Sequence, residues 1–546
     1  MSAERAKPEK ALGAVRISRR DFLKISGAGL VGASLLGVAG CGGGGGAQQG
    51  GGGGGAQGNS IVTGIDQEPA VLNRVLSEGQ LAVTNDTTAG IVEAPLAIQP
   101  DLSYKPVLAE AMPELVSEDP MIIEYRLKEG LTWSDGEPLT SADAKWTFDQ
   151  LVNPDNNIAV RDGWDQITKF ETPDERTVRM TFEPPYAPWR DLLSDNYPLF
   201  PKHVYEDEDF NEAINNEVVG SGPFKFKEWK KGESLTVVRN ENYWGEKAGL
   251  ETVTYRFITD TNTLITSLQA GEVQFINPPP DIGLQDKLEG VEGAEVKIGT
   301  GGVIWEAIHF QTENIPNLKM RQAIAYGINR EQILNQILKG VVDPLQSVLI
   351  PQQDPYYTPA WEIYTHDPER ARQLVNEAKA EGASTTVEFS TTSDNALRET
   401  LQEIVQQQLK DVGITIQINN ESATTYFSKT TVEGNFQMGE WAWLATPDPS
   451  LTSLFSAKSI PPEGENYYRY KNEQATQWME DSDITLDQAQ RAQLLQQVQE
   501  QMAEDLPVFP MYQRPQFTAF VENLTGVVPN PSLAGPYWNM GEWSLQ

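Results

Sequence analysis

From Asn59 onward the hydrophobic spacing switches repeatedly between a period of two and a period near 3.6. Val253, Tyr255 and Phe257 alternate as a half-buried strand. Asp260 is placed to cap a helix carrying Leu264 and Leu268, Gly271 closes it, and Val273 and Phe275 resume strand spacing. Met320, Ala323, Ile324, Gly327 and Ile328 share one helical face. Asn329 caps the next helix, with Ile333, Leu334, Ile337 and Leu338 inward and Gly340 after it. Asp367-Pro368 opens another, because proline at the first helical position lacks only an N–H the helix does not use. Leu397, Leu401, Val405 and Leu409 form a further stripe ended by Gly413, and Ile414, Ile416 and Ile418 then alternate. A chain that repeats strand and helix in this way buries both as α/β layers with largely parallel pairing. Glu93–Pro201 reads differently, with hairpin-like runs and Asp-Gly or Pro-rich turns, and no fixed-period repeat is present.

The first 58 residues cannot join that pattern. Met1–Arg20 is polar and basic, Ile25–Val38 is an apolar run, and Val38-Ala39-Gly40 precedes the lone cysteine, Cys41. The run has the length of a signal core and falls short of the roughly 20 residues that span a bilayer. Arg19 and Arg20, the apolar run and Cys41 together resemble a twin-arginine export signal joined to a bacterial lipobox. That resemblance implies cleavage before Cys41 and a diacylglyceryl thioether on its sulfur. The plain alternative is a chance cysteine after an uncleaved anchor. Residues 41–58 are nearly all Gly, Gln and Ala, a flexible tether.

One cysteine excludes an internal disulfide and a cysteine-rich metal site. With 42 basic against 77 acidic residues the chain carries −35, which repels phosphate backbones and argues against nucleic acid. Removing residues 1–40 takes away seven basic and three acidic residues, leaving 35 against 74, or −39.

Several stretches of the body match a known family together. Tyr125–Ala144, with Trp133-Ser134-Asp135-Gly136 at its centre, resembles the signature of the family 5 extracellular solute-binding proteins, the peptide/nickel-type receptors of ABC importers. Gly220-Ser221-Gly222-Pro223-Phe224-Lys225, Asn240-Glu241-Asn242-Tyr243-Trp244, Leu268–Glu272, Arg321–Arg330 and Pro507–Tyr512 continue the match in the family's order. Locally, Ser134-Asp135-Gly136 is turn chemistry and Thr140-Ser141-Ala142-Asp143 is a capping box, so the signature reads first as structure. Gly220-Ser221-Gly222 is followed by proline and a strand, which speaks against a phosphate loop.

The resemblance implies a type II periplasmic-binding-protein-like α/β fold of the large three-domain subclass. Lobe I would comprise residues 59–92, 215–307 and 509–546, with an extra domain at 93–214 and lobe II at 308–508. Crossings near 308–312 and 507–512 would form the hinge, and the ligand would sit between the lobes. In peptide-binding relatives a tryptophan is followed three residues later by an aspartate that pairs with the peptide's α-ammonium. Trp443 matches the tryptophan, but the matching position is Thr446, and the chain is one residue shorter before Asp448-Pro449. Either Asp448 replaces the missing acid, or it is a turn carboxylate and the ligand presents no free amine. Trp441 and Trp443 share a strand face, as core or as a stacking platform. Asn466 and Tyr467 lie in a loop the family brings near the cleft, and Trp305, His309 and Tyr512 lie near the crossings.

His203, His309 and His366 are too scattered for a metal triad, and Glu206–Asp209 lacks the glycine and ligand spacing of a calcium loop. Neither a Gly-x-Ser-x-Gly elbow nor a His-Glu-x-x-His motif is present, although a glycosidase-like carboxylate pair remains open as the competing class. The expectation is a non-enzymatic, cofactor-free, monomeric receptor, lipid-anchored on the outer face of the cytoplasmic membrane. It would deliver oligopeptides, or alternatively oligosaccharides, to ABC permease subunits and their ATPases.

Overall fold

The computed structural model describes residues 59–279, 282–393, 395–532 and 534–546, all within one compact unit. Arg19, Arg20, Cys41 and the rest of the proposed signal and tether lie outside the described residues. Strand β1 (Ser60–Ile65) is followed by helix α1 (Ala82–Thr88) and a small hairpin, β2 (Leu96–Ile98) and β3 (Tyr104–Pro106). Strands β4 (Glu114–Glu118), β5 (Met121–Arg126), β6 (Ile167–Glu171) and β7 (Thr177–Phe182) make an antiparallel sheet in the order β4-β5-β7-β6. Helix α2 (Ser141–Val152) packs on it and starts at the capping box, Thr140 with Asp143. This sheet is the hairpin-rich segment.

Strands β8 (Phe224–Lys230), β9 (Ser234–Arg239) and β10 (Thr252–Phe257), helix α3 (Thr261–Gln269), and strands β11 (Phe275–Ile276) and β12 (Ala294–Gly299) return to β1. The chain then builds a second sheet from β13 (Ile304–Phe310), helices α4 (Leu318–Gly327), α5 (Arg330–Leu338) and α6 (Pro368–Ala380), β14 (Thr386–Ser390), α7 (Ala396–Asp411), β15 (Thr415–Ile418), β16 (Met438–Leu444), helices α8 (Glu473–Ile484) and α9 (Gln488–Asp505), and β17 (Val508–Gln513). Its order is β15-β14-β16-β13-β17. A last long strand, β18 (Gln516–Val521), goes back to the first sheet, whose order is β12-β18-β11-β1-β10-β9-β8.

The local reasons are those visible in the sequence. Asp260, Asn329, Asp367 and Asn395 each accept a backbone N–H in the first turn of α3, α5, α6 and α7. Gly271, Gly340 and Gly413 take positive φ just beyond α3, α5 and α7. One face of the first sheet, with Ile61, Tyr255 and Phe275, shares a core with Met121, Trp133 and Phe182 of the hairpin segment. Its other face packs on Leu264 and Leu268 of α3.

The expected crossings are displaced. Residues 308–312 and 507–512 fall largely within β13 and β17, which pair with each other in the second sheet. The chain passes between sheets at 300–303 and at 514–515. Pairing partners far away in sequence decide which sheet a strand joins, and local spacing does not carry that information.

Lys339 at the end of α5 reaches Asp286 at 2.7 Å, and Ala187 N–H of the hairpin segment donates to the Asp483 carbonyl of α8 at 2.7 Å.

Candidate functional site

In the second sheet β14 runs parallel to both β15 and β16. From the carboxyl end of β14 the chain goes to β15 on one side; from that of β16 it proceeds toward β17 at the far edge. The crevice between those two ends is a topological switch point, where open α/β sheets take their ligands. The pairing of β14 with β16 stops at Ser390–Gly439, so from Glu440 to Leu444 that edge of β16 has no neighbouring strand. Ala445 N–H donates to the Val303 carbonyl at 2.8 Å, which fixes the alternation. Odd-numbered residues of β16 turn their backbone groups to β13, and Glu440, Ala442 and Leu444 turn theirs into the crevice. The Thr391 hydroxyl takes the Glu440 carbonyl at 2.8 Å. Ala442 and Leu444 remain as an open two-residue edge, half-buried and exposed respectively.

An aromatic wall stands on one face of this edge. Trp441 is fully buried, its ring stacked on His309 at 3.6 Å and on Tyr468 at 5.9 Å. Gly439 permits the close approach, since a Cβ there would lie 2.6 Å from both the Trp441 ring and the Tyr426 hydroxyl. Trp443 is half-buried, lies parallel to Tyr467 at 5.9 Å and donates its indole N–H to the Tyr468 hydroxyl. Trp305 and His309 are buried behind them. Burial pushes the His309 imidazole down to about 3, so it is neutral and bonds the Trp441 carbonyl at 3.0 Å. Asn466 is also buried: its amide donates to the carbonyls of Ser456 and Tyr470 at 2.9 Å, and its oxygen accepts Tyr470 N–H. It holds the loop that carries Tyr467.

On the opposite face Tyr512 is buried beside Glu306. The Glu306 carboxylate accepts from Arg398 of α7 at 3.2 and 3.3 Å and from Arg514, in the crossing, at 2.7 Å.

Past β16 the chain turns at Thr446–Pro449. Asp448 is buried and engaged by Arg491 of α9, whose guanidinium also donates to the Pro449 and Ser482 carbonyls. The Thr446 hydroxyl donates to the Asp448 carbonyl at 3.3 Å, and Asp191, a residue of the hairpin segment, accepts from the Tyr104 hydroxyl. Burial first, then the Asp448 charge, pushes the Asp191 carboxyl up to about 8. A cavity of about 360 Å³ opens beside these groups, between Tyr104, Trp189 and Arg190 on one side and Tyr356, Asp448 and Arg491 on the other.

The structure thus brings Trp443, Thr446 and Tyr467 to accessible positions around the crevice and places Trp305, His309, Trp441, Asp448, Asn466 and Tyr512 behind them as supports. No group of three or more metal-ligating side chains occurs among the described residues.

A family description fits this geometry. The model of the bacterial extracellular solute-binding proteins, family 5, matches residues 103–461. The chain belongs to this family. This solute-binding protein is 26% identical over 517 residues to the oligopeptide-binding protein AppA of Bacillus subtilis, covering 90% of this chain and 92% of AppA. AppA's structure with a nonapeptide superposes with a TM-score of 0.74 at 24% identity, over 90% of this chain and 99% of that one. The glutathione-binding protein GsiB of Salmonella typhi is 28% identical over 446 residues, 78% of this chain and 84% of GsiB. The ABC transporter substrate-binding protein CtaP of Listeria monocytogenes gives a TM-score of 0.81 at 25% identity, over 89% and 99% of the two chains. The solute-binding protein is therefore a substrate-binding component of ABC import, of periplasmic or extracellular type.

Charged residues outside the expected set also stand in or behind the crevice: Asp191, Glu306, Arg398, Glu440, Arg491 and Arg514. Two carried a signal in sequence. Arg398 shares the buried stripe of α7 with Leu401 and Val405, and Arg491 shares that of α9 with Leu495 and Val498. A charge on an apolar stripe requires a buried partner.

Proposed function

We propose that this chain is a receptor without chemistry of its own, anchored through a lipid on Cys41, that captures oligopeptides between its lobes for an ABC permease. One observation supports peptide most: the open edge at Ala442 and Leu444. A strand edge of alternating N–H and C=O groups complements an extended main chain regardless of its side chains. A peptide on that edge would alternate its side chains between the Trp443–Tyr467 wall and the Glu306–Glu440 face. Two of its relatives are described as binding a nonapeptide and glutathione, both built on peptide bonds.

The usual acid for the α-ammonium has no counterpart at Thr446, and Asp448 is neutralised by Arg491. Affinity in this reading comes from main-chain pairing and aromatic stacking. Native mass spectrometry of the purified protein tests it through any co-purified ligand: fragments spaced by amino-acid residue masses support the peptide reading, and hexose spacing contradicts it. For the anchor, Cys41→Ser should move the exported protein from the membrane pellet to the soluble fraction. Retention in the pellet would remove Cys41 as the attachment point.

A further inference from the structure

Glu440 lies in the middle of β16 with its side chain on the face opposite the tryptophans, and it is completely buried. Neither carboxyl oxygen has a hydrogen-bond partner, and the hydroxyl of Tyr512 on the same face has none either. The arginines that would ordinarily serve a buried acid are already committed. Arg398 and Arg514 both direct their guanidinium groups at Glu306.

A carboxylate stripped of water and offered no donor is not stable as an anion, so Glu440 is held as the neutral acid. Its titration is accordingly raised well above the usual range, by burial and then by the Glu306 charge. The cluster then holds two guanidinium charges against one carboxylate, an uncompensated positive charge, together with two hydroxyl hydrogens that have no acceptor. What completes it is an anion with acceptor oxygens. The cluster sits beside the open edge of β16, where a peptide main chain would end or turn a side chain toward it.

We propose that the Glu440–Tyr512 face of the switch-point crevice receives a carboxylate of the peptide ligand, with the Glu440 and Tyr512 hydroxyls donating to it and Arg398 and Arg514 balancing its charge. This rests on the peptide reading above and names the ligand group that face selects. The carboxylate has two sources, the peptide's C-terminus or an acidic side chain.

Calorimetry on ligand-stripped protein separates them, with alanine peptides of three to six residues as free acids, as C-terminal amides, and as amides carrying one Asp. The free acid, the Asp-containing amide or both should bind about tenfold or more tighter than the plain amide, as one charge-assisted hydrogen bond supplies. That preference should collapse in Tyr512→Phe and Glu440→Leu. Glu440→Gln, which keeps a neutral donor, should retain part of it. Because each preference is a ratio measured on a single variant, partial loss of folded protein cancels, and Tyr512→Phe carries the test if Glu440→Leu does not fold. Plain amides binding as tightly as both the free acids and the Asp-containing amides, or a preference surviving both variants, would overturn the assignment. A peptide receptor that ignores carboxylates would remove this inference alone, whereas a non-peptide ligand would remove the reading beneath it.

Discussion

Trp441 and Trp443 stand two residues apart on one face of β16 and do different things. Trp441 is sealed between His309, Phe436 and Tyr468, while Trp443 keeps an accessible edge against Tyr467. Trp443→Ala should therefore weaken ligand binding about tenfold or more, ~1.4 kcal/mol, with little loss of stability. Trp441→Ala should chiefly unfold, as large buried aromatics cost about 3–5 kcal/mol when truncated. Titration calorimetry and urea unfolding check the pair; an unchanged Kd for Trp443→Ala would take that residue out of the site. Sequence shows that the two share a face, because alternation is local. It does not show how deep each lies, which depends on the 466–470 loop arriving from elsewhere. The ion pair of Asp448 was hidden for the same reason: its partner, Arg491, lies 43 residues away.

At the scale of elements the family signature is a bracket. Ser134 N–H donates to the Gly220 carbonyl, Asn242 donates to the Ser134 carbonyl, and the Thr132 hydroxyl donates to the Asn242 carbonyl. Glu93 closes the joint by accepting from Ser221, Tyr243 and Trp244 at 3.1, 2.8 and 3.0 Å. Glu93→Ala would leave three donors without their acceptor and should cost about 3 kcal/mol in urea unfolding, with peptide affinity unchanged in the folded fraction. A large loss of affinity at unchanged stability would mean the bracket touches ligand. The caps that open α2, α3, α5 and α6 and the glycines that follow α3, α5 and α7 were legible, since a cap and its helix are neighbours in sequence. The positions of the crossings were not, because β13 and β17 owe their membership of the second sheet to pairing with each other and with β16.

For the whole molecule, the charge of −35 is accompanied by buried acids whose titration desolvation raises. Asp86 and Asp191 are pushed up to about 8, Glu93 to about 7, and Asp195 and Asp483 to about 6. In the unfolded chain these groups lose their protons near 4. Between about 4 and 8 the folded protein thus binds more protons than the unfolded one, and its stability falls as pH rises. His309, held down to about 3, acts oppositely below about 6.5, where the unfolded chain takes up a proton that the folded one refuses. Calorimetric Tm should therefore drop from pH 6.5 to 8.5, and Asp86→Asn should flatten that slope. A Tm that rises over this interval contradicts the assignment.

The central claim is that an extended peptide main chain pairs with the open edge of β16 at Ala442 and Leu444. A calorimetric scan of a bound peptide, N-methylated at one position at a time, tests it most directly, because methylation deletes single main-chain donors and leaves side chains in place. Strand pairing predicts affinity lost at alternate positions, with the intervening positions tolerant. Uniform tolerance, or losses without a period of two, would contradict it.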